Sequence, residues 1–422
     1  MLSFKKMDAY RIFLIYGFMM DFCLTVIWTL ATLYLIREVG LDPLQLVLVG
    51  TALEIGAFTF EIPTGVIADV YSRRLSVILG ACILGIGFMI VGLTTLFGVI
   101  LLSQVIAGLG YTFISGAGTA WLADEIGEEA AGKAYIRSSQ VGQIAGLLAI
   151  IVSVALASIT LALPIIIGSG LLILTAFFLA LFMPEDGFTP APKEERETWG
   201  AMQRTFTDGI KAARGRPVLV TLLIIGVIYG AYTEGFDRLW QFHVLNNFTL
   251  PFIGDVSEEV WFGVIGIIGS LIGMVFTEFT RRRVETSNSR SLARALFIIN
   301  ALLITSAAIF ALAQSFAFAM IAFWMIGPLR GLNGPLQSAW INQGLDPKVR
   351  ATVNSMNAQS DAIGQMAGGP GIGLIGRIFG VRVALVLGAV ILSPVLLLYG
   401  RRLGGEEALL EEAAVIDIEA AV

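Results

Sequence analysis

The chain has 422 residues, of which 56% are hydrophobic and 14% charged, and its formal net charge is −5. A soluble domain carries about a quarter charged residues to wet its surface, so this composition excludes a soluble enzyme and fits a surface that faces lipid. The acidic balance excludes a polybasic nucleic-acid binder.

A membrane span needs about 20 mostly apolar residues to cross the hydrocarbon layer. Twelve segments meet this in chain order: 10–36, 44–67, 75–97, 98–122, 135–158, 161–183, 218–244, 260–280, 295–313, 316–342, 352–376 and 380–400. The stretches 75–122 and 135–183 are nearly continuous, each too long for one helix. A turn is therefore placed at Gly98 in the first and at Leu161 to Pro164 in the second. Period-2 alternation is absent, and an open sheet cannot satisfy its backbone in lipid, so all spans are expected to be helices. The first run after Lys5, Lys6 and Arg11 is too long for a signal h-region and lacks a small-residue cleavage site, so it is expected to stay as a span.

With both termini in the cytoplasm, 22 of the 27 Lys and Arg fall on the inner side, leaving Arg37, Arg377 and Arg382 outside and Arg238 and Arg330 within spans. That excess is the positive-inside signature, and it predicts a multi-pass protein of the inner (plasma) membrane. Between spans six and seven, Pro184–Pro217 is polar and charged. Within it Trp199, Met202, Phe206 and Ile210 recur at helical spacing, which predicts an amphipathic helix at the inner surface. The domain division is thus 1–183, a linker at 184–217, a second bundle at 218–402 and an acidic cytoplasmic tail at 403–422.

The two halves repeat each other. Gly65 is followed eight and nine residues later by Arg73 and Arg74, and Gly273 likewise by Arg281 and Arg282. Ala120-Trp121 recurs as Ala339-Trp340, and Gly142-Gln143 with Gly146 recurs as Gly364-Gln365 with Gly368. Offsets near half the chain indicate parallel six-helix repeats, which fit a transporter whose bundles rock about a site between them. The fold class is an all-α membrane protein of twelve transmembrane helices in two pseudosymmetric six-helix bundles.

On these residues the chain resembles the major facilitator superfamily over essentially its whole length. Gly65, Asp69, Arg73 and Arg74 are similar to that family's signature loop between spans two and three. Val70 and Ser72 stand where the family usually has a basic residue and a glycine. The resemblance implies a gating latch, with Asp69 and the two arginines pairing with the other bundle in one state and releasing in the next. The segments Phe60 to Gly65, Ser115 to Trp121, Glu234 to Trp240 and Arg350 to Thr352 are similar to bacterial drug- and macrolide-efflux permeases. That likeness implies an antiporter exporting amphipathic or drug-like small molecules in exchange for protons. The alternative is a proton-coupled importer of a polar metabolite or a lipid-like substrate. Gln104 occupies the place where proton-coupled exporters of this type carry an arginine in span four.

Ionisable side chains in spans are costly, so each is a functional candidate. Asp21 lies near the middle of span one, where a carboxylate could exchange a proton. Glu54 and Glu61 are seven apart and share a face of span two; Glu54 is a second coupling candidate, and Glu61 sits nearer the latch. Glu234, Asp237 and Arg238 form an i, i+3, i+4 set in which Glu234 and Arg238 can pair, leaving one net negative charge. Asp361 in span eleven and Arg330 in span ten complete the cavity candidates, with Arg330 as partner for Asp361 or as an anion contact.

The lone histidine, His243, has no second histidine or supporting motif, so a membrane-embedded enzyme is the least favoured class. Cys23 and Cys82 give neither a disulfide framework nor a metal spacing. The glycine pairs at 142/146 and 364/368 lack the preceding strand and following Gly-Lys of a nucleotide loop, and they read as close helix packing. Gly368 to Gly373, with Pro370, is a weak stretch where span eleven could bend or simply pack. No cofactor and no metal are expected, and the expected partners are a small-molecule substrate, protons and the bilayer around a monomer.

Overall fold

The structure is a computed structural model that describes residues 7–190, 217–251, 257–283, 288–342 and 347–401. Among these residues there are helices and no strand. The expected linker helix at Trp199 to Ile210 and the acidic tail lie outside them.

The helices are α1 (Ala9–Arg37), α2 (Pro43–Val70), α3 (Arg73–Leu93), α4 (Phe97–Ile114), α5 (Ala117–Ile126), α6 (Glu128–Ala157), α7 (Leu163–Phe182), α8 (Pro217–Asn247), α9 (Glu258–Arg283), α10 (Ser289–Leu312), α11 (Phe316–Asn342), α12 (Pro347–Phe379) and α13 (Val381–Leu392). Helix resumes after Ser393 and runs to Arg401, and α4 with α5 makes one span interrupted at Ser115 and Gly116. Among the described residues, eleven spans are long and apolar enough to cross a membrane. The twelfth, α12, is long enough but carries Asn354, Asn357, Gln359, Asp361 and Gln365 along one half, which lowers its hydropathy.

Several boundaries differ from those expected; α10 and α12 start six and five residues earlier, at Ser289 and Pro347, and three others lie at turns in the first half. The α3–α4 turn lies at Thr94 to Leu96, and Gly98 is already inside α4. The Thr94 hydroxyl accepts from the Leu96 amide at 3.2 Å, so a short polar turn does what the glycine was assigned to do. The fourth span runs on to Ile126, and the fifth starts at Glu128 instead of residue 135. Gly127 alone separates them, at φ +81°, a conformation that costs an L side chain dearly and glycine little. By contrast α7 opens with Pro164 in its first turn, where a missing N–H costs nothing.

Capping explains other ends. Asp42 and Gln45 form a reciprocal capping box at the start of α2, each side chain 3.0 Å from the other's amide. Ser72 caps α3, its hydroxyl accepting from Leu75 N at 2.8 Å.

The chain forms two compact units: one from the described residues within Met1–Arg204 and Leu250–Ile267, the other within Thr205–Thr249 and Ile268–Val422. Helix α9 thus begins in the first unit and ends in the second. In the first unit α1 packs along α6 and α7, and α4 along α2 and α3; in the second α8 packs along α12 and α13, and α10 along α11. The repeated tryptophans are both core residues. Trp121 is 1% exposed and donates from Nε1 to Pro184 O at 2.8 Å, whereas Trp340 is 3% exposed and stacks on Tyr399.

Candidate functional site

In the first unit, α1 and α6 approach through a ladder of positions four apart. Gly17 faces Ser138, Asp21 faces Gly142, and Thr25 faces Gly146. Spacing of four on both helices interlocks their ridges, and small residues let the backbones close. The middle rung carries a charge. The Asp21 carboxylate lies over the bare backbone of Gly142, where an added Cβ would collide with Oδ2. Asp21 is exposed on the surface of its unit, Tyr16 lies one turn away within electrostatic reach, and no cation pairs with it among the described residues.

The second unit uses the same device with different side chains. Gly364 of α12 faces the backbone of Val227 and Ala231, Gly368 faces the Ala231 methyl, and Gly230 of α8 faces the Asp361 carbonyl. The repeated glycines are therefore packing positions in both halves. Helix α12 runs unbroken through Pro370.

On α2, Glu54 is half-buried and Glu61 exposed, and both lie within electrostatic reach of the Tyr111 hydroxyl of α4. Gln104, also on α4, is 2% exposed, and its Oε1 is buried with no hydrogen-bond donor among the described residues. A buried, unsatisfied amide oxygen is costly, which makes the position notable beyond its place in the sequence.

At the other end of α2, Gly65 has no neighbour within reach of an added Cβ among the described residues. Arg73 donates to Asp124 Oδ2 at 2.7 Å and to Ala120 O at 2.9 Å, while Asp69 Oδ1 stands 3.6 Å away. Arg74 donates from Nη2 to Ala180 O at 2.6 Å, and its amide donates to Glu185 Oε1 at 2.9 Å. The Ser72 hydroxyl donates to Glu185 Oε2 at 2.7 Å. These partners of the two arginines all belong to the first unit. Asp124 and Glu185 were missed in the sequence: Asp124 lies three residues after the repeated Trp121, and Glu185 directly follows the acceptor of that tryptophan's N–H, Pro184.

The second unit gathers the remaining charges. Arg238 Nε lies 3.3 Å from Glu234 Oε1, the expected i, i+4 pair, with Glu234 3% exposed. Arg330 of α11 grips both oxygens of Asp237, at 2.5 and 2.8 Å. The negative charge expected to remain on α8 is therefore met by Arg330, which pairs with Asp237 and not with Asp361. Asp361 instead accepts from Gln365 Nε2 at 2.7 Å. Tyr229, which the sequence did not single out, hydrogen-bonds Arg330. Counting Glu234, Asp237, Arg238, Arg330 and Asp361, the cluster keeps one acid in excess, and it is Asp361.

His243 is fully buried, with Nε2 3.2 Å from Phe310 O and its ring edge-on to Phe310 and Phe248. These contacts make it a core side chain of α8. No cluster of three or more His, Cys, Asp or Glu suited to a metal ion occurs among the described residues.

The sequence pattern of the Major Facilitator Superfamily matches residues 13–369. The curated relative YxaM of Bacillus subtilis (strain 168), an uncharacterised transporter of the same type, is 23% identical over 378 residues, covering 87% of this chain and 89% of its own. Among solved structures, a mutant of the nucleoside transporter NupG superposes with a TM-score of 0.76 at 16% identity, covering 93% of this chain and 99% of that one. A POT family transporter in complex with a thioalcohol-conjugated peptide gives 0.73 at 14% identity, covering 92% and 94%. A bacterial homologue of the human lysosomal transporter Spinster, inward-facing and unoccupied, gives 0.68 at 16%, covering 93% and 95%. At these identities the structural likenesses carry the fold, and the family match carries the assignment. The chain belongs to the Major Facilitator Superfamily and is a multi-pass membrane transporter.

Proposed function

We propose that this transporter exports amphipathic or drug-like small molecules in exchange for protons, by alternating access between bundles 1–183 and 218–402. The observation that carries the coupling is Asp21. A carboxylate within a span is expensive to keep, and here it has no cation partner among the described residues while α6 supplies a glycine to make room for it. Such a group can gain and lose a proton as its surroundings change, whereas Glu234 and Asp237 are each held by an arginine. The efflux direction and the drug-like substrate rest on the likeness of Phe60 to Gly65 and Glu234 to Trp240 to exporters. The Arg330–Asp237 ion pair and the acid in excess, Asp361, supply polar contacts for a substrate's polar end.

The test is reconstitution in proteoliposomes with an imposed proton gradient and a panel of lipophilic cations, macrolides, tetracyclines, sugars and organic anions. A ligand that binds the native state raises its apparent stability, so a thermal-shift screen selects the compounds to follow. Export predicts gradient-driven movement of an amphipathic compound from the cytoplasmic side in exchange for protons. Uptake of a polar metabolite together with protons would replace this reading by the importer.

A further inference from the structure

We propose that a groove beside α10 and the start of α11 binds one membrane phospholipid, its acyl chain lying in the groove and its phosphate on Arg382. The groove has a volume of about 730 Å³ and is lined along α10 by Ile304, Thr305, Ala308, Ile309 and Leu312, with Phe318 of α11 at its end. That volume falls within the roughly 300–1,000 Å³ of sites that hold drug-sized ligands.

Small side chains make the trough. Ala308 and Thr305 stand where larger residues would fill it, and the Thr305 hydroxyl is already spent on Ala301 O at 2.8 Å, so the residue offers its methyl group. The wall is therefore apolar through the depth of the span Arg290–Leu312. Its polar end is confined to the α10–α11 turn, at Gln314 and Ser315. A site graded from apolar at membrane depth to polar at the interface matches an amphiphile lying along the bilayer normal, and the bilayer itself supplies that amphiphile.

Charge at the rim selects the head group. Arg382, in the first turn of α13, donates from Nη2 to Ala313 O at 3.3 Å, and Ala313 is itself part of the groove. Its Nε is buried, without an acceptor among the described residues, so the Nη nitrogens are the donors left for a ligand. A guanidinium has five N–H donors in a planar fork, and the spare donors at the groove's polar end suit a phosphodiester.

Native mass spectrometry of the purified full-length protein with added phosphatidylglycerol tests this. The wild type should retain one lipid at collision energies that strip the rest. Losing a charge-assisted hydrogen bond should cut that retention by about tenfold in Arg382→Gln, and filling the trough with Ala308→Trp should cut it as well. Leu302→Trp, a substitution at another exposed position of α10, should leave it unchanged, which separates site loss from misfolding. Equal retention in all four proteins would overturn the proposal. So would a dimer in the wild type that Ala308→Trp dissociates, since a second copy would then cover the groove.

Discussion

Arg330 and Asp237 sit 93 residues apart in the chain and meet as a two-pronged ion pair, Nη1 donating to Oδ1 and Nη2 to Oδ2. The acid is about half exposed, at 46%, and the arginine is 24% exposed. The pair therefore lies between a surface bridge, worth little, and a buried one whose breaking is costly. Asp237→Asn and Arg330→Gln should each destabilise the second unit by about 1–2 kcal/mol, with the double variant costing clearly less than their sum. Thermal unfolding in detergent reads this directly. Additive single effects would show that the two side chains do not act as a unit.

How this pair arises shows what the sequence could and could not disclose. Glu234 and Arg238 are four apart on one helix, so their pairing follows from helical geometry alone. Asp237 and Arg330 lie on α8 and α11, and their meeting depends on helix rotation and packing that no local period encodes. The same division holds elsewhere. Hydropathy located the spans, while Gly127 and the Thr94 turn escaped because a one-residue or three-residue break barely dents an apolar window. The glycine repeats were readable as packing because bare backbone at i, i+4 has one common use in membranes. That Asp21 lies over Gly142 was not, since it requires knowing which faces of α1 and α6 meet.

The two repeated glycines should respond unequally to the same change. A Cβ at Gly364 meets the backbone of Val227 and Ala231, which can yield only by moving α8. A Cβ at Gly142 meets the end of the Asp21 side chain, which can rotate. Gly364→Ala should therefore cost about 1–3 kcal/mol of overpacking, and Gly142→Ala distinctly less. Comparable losses of thermal stability in the two variants would contradict this asymmetry.

In the loop after α2, Arg73 is held more closely by Asp124 than by Asp69, at 2.7 against 3.6 Å. Asp124→Asn should accordingly lower thermal stability more than Asp69→Asn. If Asp69 serves the gating latch, Asp69→Asn should slow turnover while leaving expression and folding nearly intact. Unchanged transport in Asp69→Asn would reduce the loop to a cationic turn that sets topology.

Orientation is testable without activity. The distribution of Lys and Arg predicts that both termini and the 184–217 linker lie inside. Single cysteines at Ser3 and Glu195, both outside the described residues, should resist an impermeant thiol reagent in intact cells, and one at Ser257 should react. Labelling at Glu195 from outside would reverse the assignment.

The coupling role of Asp21 makes the most specific demand. Its carboxylate rests on Gly142, exposed on its unit and without a cation partner among the described residues, so its charge is offset only by water, a proton or a passing ligand. If the proton travels on Asp21, Asp21→Asn keeps the size and hydrogen-bonding of the side chain but removes the titration. Substrate should still bind and exchange down its own gradient, while accumulation driven by a proton gradient is lost. Binding to the wild type should vary with pH in a way that the variant does not. Gly142→Ala gives an independent reading, because it displaces the carboxylate without neutralising it; gradient-driven transport should fall there too, with the pH dependence retained. Glu54→Gln and Asp237→Asn run in parallel as alternative carriers. If Asp21→Asn still concentrates substrate as wild type does, Asp21 is structural, and the proton route shifts to whichever of those variants loses coupling.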